Sequence, residues 1–221
     1  MITPLVTLVV AYASSVTRRN KATLSGWSHK VLAFRAADDS KFDNMNDRHM
    51  YETIRLAANV YAHALQNYIP ISKAAAKLGR HSSFWPVSDP IEPNKVTPIP
   101  IQIKRALIRT DTSTCWDRTG GVPLWVALVG SAAANPGPYA DKERYGEDED
   151  ARKWLAAIAV RCCIVLSFEH GTAILETLKR MVAIETVLAC QPSNTTTRLA
   201  AESLLTPPKG FVDFAQDFQD L

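Results

Sequence analysis

The fold of this 221-residue chain is decided by TDTSTCWDRTGGVPLWVALVGSAAANPGPY (Thr110–Tyr139) and ARKWLAAIAVRCCIVLSFEH (Ala151–His170). In both stretches, apolar residues recur at steps of three and four, which is the period of an amphipathic helix. A polar connector containing proline and glycine joins them. Because apolar faces this wide are not left in water, the two stretches predict a helical hairpin that the rest of the chain covers.

The first of these helices ends in a cluster of small residues. Pro123 falls in its first turn, where proline is tolerated. Gly130 and the following Ser-Ala-Ala-Ala of residues 131–134 continue an apolar face that includes Trp125. Small side chains let helix backbones approach each other, since the distance between helix axes depends on the residues at the contact. We therefore expect a neighbouring helix to pack closely here.

The second helix, predicted over Ala151–Phe168, contains a charged residue that we expect to be buried. Its predicted buried stripe consists of Trp154, Leu155, Ile158, Cys162, Val165 and Leu166. Arg161 lies among these residues, and a buried guanidinium needs a carboxylate partner, which Glu169 or Asp117 could supply. Because a guanidinium stays protonated and cannot act as a base, the pattern favours a structural ion pair over a catalytic role.

Further helices are predicted on both sides of the hairpin. The clearest is Asp47–Tyr68, with Asp47 as the predicted N-terminal cap. Ser72–Gly79 is predicted as a short helix with a cap, whose Lys73 and Lys77 mark the solvent side. Other segments with helical spacing are Thr3–Arg19, Ser25–Phe34, Ile101–Thr110 and Thr172–Cys190. We expect Gly171 to separate the last segment from Ala151–Phe168, and the two to pack as a second hairpin.

Two segments do not follow the helical pattern. His81–Pro100 contains five prolines and is predicted as an extended strap, because proline lacks the N–H donor and restricts the residue before it. Residues 206–221 are predicted as a loose acidic tail beyond a single helical domain of residues 1–205. A docked or frayed terminus is the plainer interpretation of this tail, although such composition also occurs in segments that fold on a partner. Its Phe and Asp residues are Phe211, Asp213, Phe214, Asp217, Phe218 and Asp220. The expected fold is all-α: an irregular multi-helix bundle with a proline-rich strap and this tail.

Composition narrows the location of the protein. The formal net charge of +3 is too small to indicate nucleic-acid binding by electrostatics alone. The four cysteines form no C-x-x-C pair, which favours a reducing compartment. The apolar run Leu5–Ala13 lacks the basic residues that open a signal peptide and is too short to span a bilayer. We expect an intracellular protein, in nucleus or cytoplasm, that is neither secreted nor bound to a membrane.

The sequence shows no motif for catalysis. Nucleophile elbows, zinc-protease helices and phosphate-binding loops are all missing from it. Glu169 and His170 are the only adjacent acid and imidazole, and they fall at a predicted helix end. We therefore expect a protein that is not an enzyme, with no catalytic, cofactor-binding or metal-binding residue and no cofactor.

Four segments resemble the helical regulatory domain of fungal-specific transcription factors. They are RTDTSTCWD (109–117), PLWVALVGSAAA (123–134), RKWLAAIAVRC (152–162) and LSFEH (166–170). Residues that match the first helix of the family are Leu124, Trp125, Leu128, Gly130 and Ala133, and those that match the second are Arg152, Trp154 and Leu155. The resemblance covers about half of the chain and consists mostly of packing residues.

The resemblance implies an all-α domain that regulates transcription through self-association, a protein partner or a small-molecule effector. Members of the family usually carry six closely spaced cysteines that hold a zinc cluster and read DNA, and this chain has no such group. Direct DNA binding is therefore not expected, and the chain is either a stand-alone regulatory domain or a piece of a longer product. The alternative is a small helical ligand-binding protein or enzyme, with an internal pocket lined by Trp125, Trp154 and Arg161.

Overall fold

The computed structural model describes residues 30–34, 42, 44–79, 97–111, 116, 121–135 and 145–189. Across these ranges the chain is helical and has no strand, which confirms the all-α prediction. Besides a helical turn at residues 30–32, the helices are α1 (Met45–Asn67), α2 (Ile71–Leu78), α3 (Ile99–Ile108), α4 (Gly121–Ala133) and α5 (Tyr145–Ala189). The predicted helix Thr3–Arg19, most of the proline-rich strap and the tail of residues 206–221 lie outside the described residues.

The helix α1 is the most enclosed element of the described fold. Every residue from Met50 to Ala62 is buried, so no face of this part of the helix is left to solvent. The helices α2, α3 and α4 all pack against it. The sequence places the hairpin at the centre of the fold, whereas the structure places α1 there.

The two ends of α1 have different caps. At the start, the Asn44 side-chain oxygen accepts a hydrogen bond from the Asn46 backbone N–H at 2.9 Å. The prediction that Asp47 is the cap is therefore wrong. Asp47 lies inside the first turn, where its carboxylate is close to the positive end of the helix dipole. At the other end, Tyr68 adopts a left-handed conformation with φ of 51°, and the Ile69 N–H donates to the Ala64 carbonyl at 3.1 Å. This geometry ends the helix.

Two further helix starts differ from the prediction. In α2 the residue before the helix is Pro70, and Ser72 lies within the first turn, so Ser72 is not a cap. The predicted solvent side of α2 is confirmed, since Lys73 and Lys77 are exposed. In α3 the helix includes Pro100, which the sequence assigned to the strap. A proline in the first turn removes an N–H that has no partner within the helix, so it is tolerated there.

The helices α4 and α5 form the predicted hairpin and share the most extensive contact between described helices. They approach closely at Gly130, where a Cβ atom would lie 2.9 Å from Leu155 Cδ1 and 3.3 Å from Ile103 Cγ2. The predicted close packing of a neighbouring helix against the small residues of α4 is confirmed. Gly130 thus brings α3, α4 and α5 together at one point.

A bend interrupts α5 at His170, whose φ of −131° and ψ of 31° are not helical. The predicted separation into two helical segments is confirmed and falls at His170, one residue before Gly171; we keep the label α5 for both segments. Both sides of the bend contribute to the core. Ala159 before it and Ile174 after it belong to one buried cluster with Leu124 of α4. The helix also begins at Tyr145, before the predicted start at Ala151.

Candidate functional site

The two tryptophans that the sequence singled out are packing residues of the core. Trp125 is partly buried and meets Tyr61 edge to face, with ring centroids 5.7 Å apart. Its indole N–H is buried and has no hydrogen-bond partner among the described residues. Trp154 is partly buried against the same core. Both residues therefore join α4 and α5 to the body of the fold.

Arg161 lies on the opposite side of α5 from the core, and the prediction that it is buried is wrong. The side chain is exposed, while Leu155 and Ala159 occupy the buried face of the same helix. Of its two predicted partners, Glu169 is exposed and Asp117 lies outside the described residues. An exposed guanidinium forms no buried ion pair and lines no internal cavity. The structure thus does not bring Arg161 together with the two tryptophans in an enclosed pocket.

The helix α1 carries a buried network of polar side chains that the sequence analysis did not predict. The Arg55 side chain is 2% exposed and donates to Glu52 Oε2 from Nη2 at 2.8 Å and from Nε at 3.1 Å. In the amide orientation that satisfies its hydrogen bonds, Asn59 accepts from Arg55 Nη1 and donates to the Val31 carbonyl, each at 3.3 Å. These bonds tie the helical turn at residues 30–32 to α1. Glu52 and Arg55 stand three residues apart in the sequence, which is the one signal that could have shown the pair.

Other reactive groups in the described residues offer little chemistry. Burial raises the pKa of the Cys162 thiol, and the neighbouring Cys163 raises it further. The pKa of Cys163 is raised by burial as well. Both thiols therefore stay protonated at neutral pH and are poor nucleophiles. Among the described residues, no group of three or more His, Cys, Asp or Glu side chains could hold a metal ion.

The most unusual surface of the described fold lies on α5 just before its bend. From Val160 to Ala173 no residue is buried, although the sequence there is strongly apolar. Four side chains form what we call the exposed stripe: Val160 (58% exposed), Ile164 (58%), Val165 (63%) and Phe168 (86%). Soluble proteins rarely leave contiguous large apolar side chains in water unless the surface binds something.

The geometry of the stripe follows directly from the helical period. Val160, Ile164 and Phe168 stand four residues apart, so they form one ridge along α5. Val165 widens the ridge, although the sequence predicts it as part of the buried face. Arg161 adjoins the ridge and supplies a positive charge beside it. The stripe is thus a linear apolar surface about two turns long with a cation at its side.

The sequence could not reveal the stripe because α5 is apolar on more than one face. Leu155 and Ala159 face the core, whereas Val160 and Ile164 do not. A helix that is apolar all round is normally buried all round. The described part of the fold covers only one of its sides.

By length and composition alone, the segment 149–189 also qualifies as a membrane span. Only 11% of its apolar 18-residue window is buried. Two features weigh against a membrane-spanning role. The helix packs on α4 through residues on both sides of the bend. Arg161 and Glu169 within it would each oppose insertion.

Comparison of the chain with protein-family models, curated proteins and solved structures finds no match. The resemblance to the fungal regulatory domain therefore rests on the sequence motifs alone, and the candidate site rests on the geometry of the exposed stripe.

Proposed function

We propose that this chain is a non-catalytic helical regulatory domain of the transcription-regulator type, and that it binds a protein partner on the exposed stripe. The observation that carries the proposal is the set of four large apolar side chains on α5, each more than half exposed. Burying such side chains against a partner is favourable by about 25 cal/mol for each Å² of apolar surface removed from water.

A helix is the partner structure that fits the stripe best. Residues at four-residue steps present a ridge that packs into the groove of another helix. Phe168, the most exposed of the four, has the size and rigidity of the aromatic anchors that contribute most to protein interfaces. Arginine is also enriched at such interfaces, and Arg161 stands beside the stripe.

The regulatory part of the proposal comes from the family resemblance. Leu124, Trp125 and Gly130 of α4, and Trp154 and Leu155 of α5, are the residues that carry it, and in this fold they join those helices to the core. The chain has no group of six clustered cysteines to read DNA. The proposal therefore assigns it a role through protein partners, in the nucleus or cytoplasm, and not through direct contact with DNA.

The test is to fuse the full chain to a heterologous DNA-binding domain and to measure a reporter gene in fungal cells. We expect the fusion to change reporter expression severalfold relative to the DNA-binding domain alone. Ile164→Gln with Phe168→Gln should abolish the change, because a polar stripe loses the apolar contact with its partner.

The matched control is Leu175→Gln with Val182→Gln. These residues are 52% and 67% exposed on the same helix but lie beyond its bend, so they should leave the reporter unchanged. Immunoblots confirm equal protein levels. A fusion indistinguishable from the DNA-binding domain alone would refute the role in transcription. Equal reporter activity for both pairs of variants would refute the stripe as the docking site.

A further inference from the structure

We propose that the partner on the exposed stripe is a second copy of this chain, and that the two α5 helices cross there antiparallel, about a two-fold axis at Ile164. The inference rests on the proposed docking role of the stripe and names its partner. Three observations carry it: the symmetry of the apolar ridge, the two charges beside the ridge, and the short length of the stripe.

The apolar ridge of the stripe is the same in both directions. Val160 and Phe168 each stand four residues from Ile164, and all three side chains are more than half exposed. When two such ridges meet antiparallel, Ile164 contacts Ile164 of the second copy, and each Phe168 lies beside Val160 of the other chain. A two-fold interface requires a surface that is complementary to itself in this way.

The row of residues next to the ridge carries opposite charges at its two ends. Arg161 is exposed, the Glu169 side chain is 83% exposed, and each stands four residues from the apolar Val165. A two-fold axis perpendicular to antiparallel helices brings each row against the same row of the second copy, in reverse order. Arg161 of each chain therefore faces Glu169 of the other, so the dimer contains this pair twice. Within one chain Arg161 and Glu169 are about 12 Å apart along the helix, and the Glu169 carboxylate lies 3.9 Å from His170 Nε2.

These two charges favour the antiparallel dimer over a parallel one. A parallel pair of helices places identical residues at the same level, so both Arg161 side chains lie at one end of the contact and both Glu169 side chains at the other. The antiparallel pair places one of each at both ends, and opposite charges at the edge of an apolar contact select the orientation of the partner. An unrelated helix would require only the ridge, whereas the placement of opposite charges on either side of Val165 is what a second copy requires.

The length of the stripe fits helices that cross rather than run side by side. Rows at four-residue steps are inclined to the helix axis, and two such rows align when the helices cross at about −50°. Crossing helices diverge away from the crossing point, so a stripe of about two turns is long enough for the contact. The other flank of the ridge consists of Cys163, Ser167 and Gly171, which are small and uncharged and permit the close approach. From Val160 to Ala173 no residue is buried in the single chain.

The first experiment measures the mass of the full chain by sedimentation equilibrium across the micromolar range, where small interfaces associate. We expect a monomer–dimer equilibrium. Ile164→Gln with Phe168→Gln should weaken dimerisation by about 30-fold or more, because each substitution enters the interface twice. Val182→Gln is the control, since this side chain is 67% exposed on the same helix but lies beyond the bend, and it should leave the dissociation constant unchanged. A chain that stays monomeric, or equal dissociation constants for all three proteins, would overturn the proposal.

A charge exchange tests the assigned pairs. Arg161→Glu gives each chain two carboxylates on the row, and Glu169→Arg gives each chain two guanidinium groups. Either variant alone should dimerise about three- to tenfold more weakly than the parent, because like charges then face each other. Mixed in equal amounts, the two variants should form a heterodimer with the affinity of the parent, since both opposite-charge pairs are restored. A heterodimer no tighter than either homodimer, measured by native mass spectrometry, would contradict the pairing and with it the proposed dimer.

A photochemical cross-link determines the direction of the helices. Ala157, which is exposed about two turns before Ile164, is replaced by p-benzoylphenylalanine. In the antiparallel dimer this position lies opposite residues 168–172 of the second copy. In a mixture of ¹⁴N- and ¹⁵N-labelled protein, cross-links between copies should therefore join the tryptic peptide 154–161 to the peptide 162–179. Cross-links that join the peptide 154–161 to its own copy would show a parallel pair and overturn the proposal.

The two proposals fail in different ways. If the chain stays monomeric while the reporter still requires Ile164 and Phe168, the stripe binds a different protein and self-association falls. If the dimer forms through the stripe while the fusion leaves the reporter unchanged, self-association stands and the regulatory role falls. Co-sedimentation of a monomeric chain with phosphatidylcholine–phosphatidylserine vesicles, lost on Phe168→Gln, would make a lipid surface the occupant and overturn both uses of the stripe.

Discussion

A Cβ atom added at Gly130 of α4 would lie 2.9 Å from Cδ1 of Leu155 in α5, closer than unstrained carbon atoms come. Leu155 is fully buried, so its side chain has little room to move away. The close approach of α4 and α5 at this point thus relies on the missing side chain of Gly130.

Gly130→Ala should therefore destabilise the fold. Overpacking a buried site costs about 1–3 kcal/mol, and better helix propensity returns about 1 kcal/mol, so we expect a net loss of up to about 2 kcal/mol. Gly121→Ala is the matched control, because nothing lies within 4 Å of a Cβ at this position on the same helix. Urea unfolding measures both variants. A Gly130→Ala protein as stable as the control would contradict the close approach.

Glu52→Gln should destabilise the fold far more than the same change at Glu176. Each glutamate pairs with a basic residue three positions on, Glu52 with Arg55 at 2.8 Å and Glu176 with Lys179 at 3.0 Å. The first pair is buried, and removing one partner of a buried ion pair costs about 3–5 kcal/mol.

The Glu176 pair is partly exposed, with side-chain exposures of 54% for Lys179 and 27% for Glu176, and its loss should cost about 1 kcal/mol or less. Free energies of unfolding from urea titrations compare the two variants directly. Equal losses would mean that the buried pair contributes no more than a surface pair.

Ile164→Gln with Phe168→Gln should leave the helical core intact. Both side chains are largely exposed, and substitutions at such positions usually change stability by about 0.5 kcal/mol or less. Leu155→Ala on the buried face of the same helix should cost about 2–5 kcal/mol. Thermal melts followed by circular dichroism test this contrast. A large loss from the stripe variant would show that the stripe is part of the core.

Glu185→Gln should stabilise the protein at neutral pH. Burial raises the pKa of the Glu185 carboxyl above its ordinary value of 4.5, and its Oε1 atom has no hydrogen-bond partner among the described residues. With a raised folded-state pKa, the folded chain binds more protons than the unfolded chain. The favourable contribution of Glu185 to the free energy of unfolding is complete below pH 4.5. It is lost as pH rises through the pKa of this carboxyl in the folded state.

Glu185→Gln avoids this loss. The difference in free energy of unfolding between the variant and the parent should therefore grow as pH rises from 4.5 through the folded-state pKa, and stay constant above it. Urea unfolding at a series of pH values from about 4 to 7.5 measures the difference. Glu176→Gln serves as the comparison, since that carboxylate is paired with Lys179. An advantage independent of pH would rule out the carboxyl as its source.

The helical period alone determined much of this protein. Steps of three and four apolar residues predict α1, α4 and the first part of α5, because burying one face of a helix imposes that period on the sequence. The same reasoning predicts the exposed lysines of α2. Gly130 predicts a close helix contact because only a missing side chain allows it.

Other features depended on how the helices were assembled. The sequence of α5 is apolar on more than one face, so the helical period does not determine which face is buried. In the structure Leu155 is buried, whereas Val165 and Arg161 are exposed. The tertiary structure decided this through α4, which covers one side of α5 and leaves the stripe open. Likewise, Arg55 is buried because other helices pack around α1. The spacing of apolar residues predicts one buried face of a helix and does not predict burial on all sides.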